Sequence, residues 1–97
     1  MARVLTVIVE IELMDALFAE FDILGGIADG RLSAEVVDSV SSHAYPGHSS
    51  TILKHFNSKG KHVATSHRIS DNDGNTPHWH GTDFVLNDVK LIRATSG

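Results

Sequence analysis

The sequence predicts an α+β fold: a twisted, mostly antiparallel sheet of about five to six strands that ends in a β-meander and packs against one main helix. Three observations carry this expectation. A β-branched run opens the chain, a helical apolar stripe follows it, and the second half alternates short apolar runs with turn-forming clusters.

The first run, Arg3 to Leu13, reads as a strand. Leu5, Val7, Val9, Ile11 and Leu13 make one apolar parity, while Val4, Thr6 and Ile8 give way to Glu10 and Glu12 on the other. Such a strand is covered on both faces at its start and on one face at its exit. The two glutamates read as a solvated strand end rather than an acid–base pair. From Met14 to Leu24 the period changes to that of a helix, with Leu13, Leu17, Phe21 and Leu24 as its stripe, flanked by Met14 and Phe18. Asp15 suits the first helical turn, and Gly25-Gly26 suits the stop.

Residues 31–42 fit two periods. Leu32, Val36, Val37 and Val40 suit a helix capped by Ser33, whereas Leu32, Ala34 and Val36 alternate as in a strand. The valines and serines favour a strand. Tyr45-Pro46-Gly47-His48 is a turn. Strands are then expected over Thr51–Phe56, Lys61–Ser70 and Thr76–His80, separated by turns at Asn57–Gly60 and Asp71–Gly74. A last hairpin, Phe84–Leu86 with Val89–Arg93, bends at Asn87-Asp88, and a frayed tail starts at Ala94.

At 97 residues, 41% hydrophobic and 21% charged, the chain is expected to form one soluble domain, 1–97. Its charge is uneven. Residues 1–42 carry two arginines against eight acids, a net −6; residues 43–97 carry six Lys/Arg against four Asp, a net +2. An acidic strand–helix part and a basic, histidine-rich meander attract each other within a fold or between copies. No dense Lys/Arg stripe marks a nucleic-acid surface. The absence of cysteine excludes disulfides, thiolate catalysis and Cys-ligated zinc. Val4–Val9 is too short for a signal or membrane segment, so a cytoplasmic protein without a membrane partner is expected.

All seven histidines fall between His43 and His80. Register decides what they can do. A four-residue loop at Asp71–Gly74 opposes His67 to His78; a two-residue turn at Asp73-Gly74 opposes His67 to His80 and Ile69 to His78. Either even count puts His67, His78 and His80 on one face, where directly opposed Cβ atoms are roughly 4.5–5.5 Å apart. An odd loop with a bulge opposes His67 to Trp79 or Pro77 and disperses the trio. In the preceding hairpin, a four-residue loop opposes His55 to His62.

Three imidazoles with an open position would suit Zn2+ or another divalent metal, with Asp83 as an oxygen ligand or as the group that orients a histidine. The metal candidates are therefore His67, His78, His80 and Asp83. A metal-free hydrolase of ribonuclease type would instead use His67 and His78 as catalytic acid and base, with Lys54 or Lys61 holding phosphate. No G-x-S-x-G elbow and no phosphate-binding glycine loop is present. The leading expectation is a small accessory protein that acts by self-association, as a homo-oligomer, or by binding a protein partner.

Overall fold

The computed structural model describes residues 5–42, 46–76 and 78–94. His43, Tyr45 and the end of the expected tail (95–97) lie outside the described residues. Six strands and two helices follow the order β1 (Leu5–Val9), α1 (Ile11–Glu20), α2 (Ile23–Asp29), β2 (Ser33–Ser41), β3 (Ser49–Phe56), β4 (His62–Ser70), β5 (His78–Leu86) and β6 (Val89–Arg93). The strands form one sheet ordered β1-β6-β5-β4-β3-β2, in which β1 is parallel to β6 and every other neighbour is antiparallel. The α+β class and the antiparallel bias are as expected; a parallel pair closes one edge. After β1 the chain crosses through both helices to the far edge, then returns strand by strand until β6 lies beside β1. No helix among the described residues is long and apolar enough to cross a membrane.

The expected first strand is too long. Glu10 is extended and serves as the N-cap, Met14 N–H donates to Glu10 O at 3.1 Å, and the helix begins at Ile11. Ile11 and Leu13 fit either period. The helix prevails because it buries Met14 and Phe18, each worth about 1.5–3 kcal/mol. Glu12, not Asp15, is the acid of the first turn. The buried stripe is also rotated from the expected one, since Leu13, Phe21 and Leu24 are exposed.

Two helices replace the single one expected. The break falls at Phe21-Asp22, where Asp22 is left-handed (φ 49°, ψ 51°), a conformation that Asp tolerates better than most side chains. Gly25-Gly26 does not stop the helix; both lie inside α2. A Cβ on Gly25 would collide with the Asp22 carboxylate, and one on Gly26 with the Arg31 guanidinium. Arg31 Nη2 donates to Asp22 O at 2.8 Å, which ties the loop after α2 back to the break.

α1 packs on β5 and β6. The core joins Val9, Met14, Phe18, Ile23, Leu32, Ala64 and Phe84, with Leu17, Ile27, Val63 and Leu91 against it. Phe84 receives Phe18 and Phe21 edge-on, at centroid distances of 6.1 and 5.0 Å. The ambiguous 31–42 stretch holds strand β2, Ser33–Ser41. Residues 81–83, which fall between two of the expected strands, join them into the single strand β5. Asn87 and Asp88 both take positive φ, 49° and 65°, and close the last hairpin in the type I′ manner. Ala94 is not frayed: its N–H donates to Val9 O at 2.8 Å.

Candidate functional site

Both hairpins that carry histidines use one device. Asn57 N–H donates to Lys61 O and Asp71 N–H to Asn75 O, so each loop proper has three residues and a left-handed glycine, Gly60 (φ 77°) or Gly74 (φ 84°). The side chain that opens each loop clamps it. Asn57 Oδ1 accepts from Lys59 and Lys61 N–H, and Asp71 Oδ1 accepts from Asp73 and Asn75 N–H, all at 2.9–3.0 Å. One extra residue on the following strand then shifts each register. Two positions separate His55 from Asn57 but three separate Lys61 from Ala64, and the same holds for Ile69 to Asp71 against Asn75 to His78.

The consequence for the histidines is mixed. His67 opposes His80 and Ile69 opposes His78, the pairing expected of a two-residue turn but reached through an odd loop and a compensating shift. In the first hairpin the expectation fails: Phe56 opposes His62 and His55 opposes Ala64, because the bulge at Val63 separates the two histidines.

His67 and His80 are in ring contact, with centroids 5.3 Å apart and planes at 75°. Ser50 Oγ, on β3, hydrogen-bonds His67 Nε2. His78 lies two residues along β5, and among the described residues no three His, Asp or Glu side chains gather as a ligand set. Asp83 is directed elsewhere. A bulge at Thr82 sets it opposite Thr65, with its Oδ1 4.0 Å from His62 Nε2. That nitrogen also hydrogen-bonds Thr65 Oγ1 at 3.0 Å. Hydroxyl and carboxylate thus approach the same ring nitrogen, which is not the relay a nucleophilic triad needs. Of the two lysines considered for phosphate, Lys61 pairs with Asp88 at 3.8 Å and Lys54 is exposed on β3, opposite Thr65 and Glu35.

Away from this ring pair, His55 is buried. His55 Nδ1 must donate to Ser33 O, 3.2 Å away, because a carbonyl only accepts. Its Nε2 therefore accepts from Ser66 Oγ at 2.7 Å, and Ser66 Oγ accepts in turn from Trp79 Nε1–H at 2.9 Å. His55 and Ser66 are fully buried. Burial foremost, opposed by the Ser33 bond, pushes the His55 imidazole below its ordinary value and keeps it neutral. A serine–histidine pair in this state is a satisfied core network, closed to substrate. Arg68 lies over the Trp79 ring at 5.4 Å. Alternation alone puts Leu53, His55, His62, Ala64 and Trp79 on one face; the bulge at Val63 instead sets His62 opposite Phe56, and nothing in the pattern marks Ser66 as the link between His55 and Trp79.

The third feature is an edge. Every residue of the nine-residue β2 is exposed, and Val36, Val37 and Val40 are 55, 52 and 54% exposed. β3 pairs with one side of β2, and the strand order leaves the other side as the rim of the sheet. β1 is the opposite rim, with Leu5 and Ile8 exposed.

Comparison with protein-family models, with curated proteins and with solved structures finds no match to this chain.

Proposed function

We propose that the chain is a self-associating binding module: two copies join β2 to β2, antiparallel, into one continuous sheet. The observation that supports this reading is the open β2 edge. A long edge strand presents unpaired N–H and C=O groups, and monomeric proteins usually shorten it, cover it, charge it or twist it away with a bulge; β2 keeps its full length and is uncovered, with Glu35, Asp38 and one bulge as its only such features. β2 has no Lys, and three of its nine residues are half-exposed valines. Two-fold pairing would satisfy the free backbone groups and, centred on Val37, set Val37 against Val37 with Val36 and Val40 of the two copies as diagonal neighbours, and the symmetry closes the assembly at two.

The strand's charge is compatible with this. With Val37 on the two-fold axis, Glu35 falls opposite Ser39 of the second copy and Asp38 opposite Val36, so no carboxylates face each other. The one-residue bulge between Val36 and Asp38 lies at that centre and bends the strand there. Sedimentation of the untagged chain tests the reading. A Val36→Lys/Val40→Lys variant is expected to sediment as a monomer, while Leu5→Lys/Ile8→Lys on the opposite rim keeps the wild-type mass. The reverse outcome would move the interface to β1 and overturn the assignment.

A further inference from the structure

We propose that His67 and His80 form a two-imidazole site for a borderline divalent transition ion of the Cu2+, Ni2+ or Zn2+ class, with Ser50 holding the His67 ring and water completing the coordination.

The separation of the rings carries the argument. An ion about 2.1 Å from each imidazole nitrogen stands ~3.2 Å from each ring centroid, so an N–metal–N angle of about 90–109° places the centroids roughly 4.5–5.2 Å apart. The observed 5.3 Å lies just beyond that range with the rings edge to face at 75°, so the site would form on rotation of both rings about their side-chain torsions until their nitrogens converge. The two residues are directly opposed on adjacent antiparallel strands, so the backbone fixes their spacing without a ligand.

Ser50 adds the second element. When His67 Nε2–H donates to Ser50 Oγ, Nδ1 keeps its lone pair for a metal, which is how an outer partner selects tautomer and ring orientation. His80 is half-buried on β5, beside Asp15, Phe18 and Gly81.

The donor type selects the class of ion: both groups offered are imidazole nitrogens. A hard ion such as Mg2+ or Ca2+, bound through charge and oxygen ligands, has little to gain here. An ion whose bond to imidazole nitrogen is itself strong does. The site needs neither His78 nor Asp83, and it does not depend on how β2 pairs.

Titration of the untagged full chain with Ni2+, followed by calorimetry and by the imidazole resonances, tests the assignment. One ion per chain is expected, with the His67 and His80 signals broadened first. His67→Ala and His80→Ala should each weaken binding at least tenfold and Ser50→Ala by about tenfold, whereas His62→Ala and His48→Ala leave it unchanged. His80→Gln, checked by circular dichroism, serves if an alanine variant fails to fold. Absence of saturable binding, undiminished binding in both the His67 and His80 variants, or broadening that begins at His48 or His62 would overturn it. Sedimentation in excess chelator reads the β2 pairing alone, so either proposal can fail without the other.

Discussion

The ring of Phe18 occupies the space that a side chain on Gly81 would need. α1 therefore rests on β5 at the position where that strand has no Cβ, and Phe84 completes the contact three residues on. Gly81→Ala is expected to displace the helix and cost about 1–3 kcal/mol, as overpacking of a filled core does. Urea unfolding measures this. Thr82→Ala is the comparison: it loses one hydrogen bond to Thr65 O and should cost about 1 kcal/mol or less.

Ser66 holds the buried network together by accepting from Trp79 and donating to His55. Ser66→Ala leaves a buried imidazole nitrogen and a half-buried indole N–H without this partner, at a cost of about 1–3 kcal/mol. His55→Ala should cost more, about 3 kcal/mol, because a cavity is added to the lost bonds. In a double-mutant cycle the two changes are expected to be strongly non-additive. Additive costs would mean that the pair does not act as a unit.

Burial gives His55 a pH signature. Its folded value lies below that of the unfolded chain, so between the two the unfolded state binds more protons and stability rises with pH. The contribution is complete above the unfolded value of 6.5 and is lost as pH falls from there toward the folded value. Denaturation between pH 5 and 8 should show this slope, at most about 1.4 kcal/mol per pH unit from a single group. A His55→Asn variant should lose that component. An unchanged slope in the variant would remove His55 as its source.

Asp71 organises the loop that sets the His67–His80 register: its carboxylate accepts from two backbone N–H groups and from the Asn75 side chain at 3.1 Å. Asp71→Ala is expected to lower stability by roughly 1 kcal/mol and to broaden the resonances of His78 and His80. Asn57→Ala should perturb His62 instead, because its clamp serves the other hairpin.

Most strands were legible because β-branched runs between turn residues state both their presence and their ends. Asn87-Asp88 and the two glycine-containing loops were legible for the same reason. Register was less so. Alternation says which residues share a face only until an extra residue intervenes, and nothing in the residues around Val63, Thr82 or Val37 marks them as bulges. Hence His67 and His80 came together as one of the two expected pairings, while His55 and His62 separated and Asp83 turned toward His62. The helix start was hidden because Ile11 and Leu13 suit both periods. Its break was hidden because a left-handed Asp22, rather than the glycine pair, interrupts it.

Sedimentation equilibrium on the untagged chain at neutral pH, with and without chelator, tests the central claim most directly. Twice the 10.5 kDa chain mass is expected in both conditions, falling to a single chain when Val36 and Val40 are both replaced by lysine. A wild-type chain that remains at 10.5 kDa across the concentration range would contradict it.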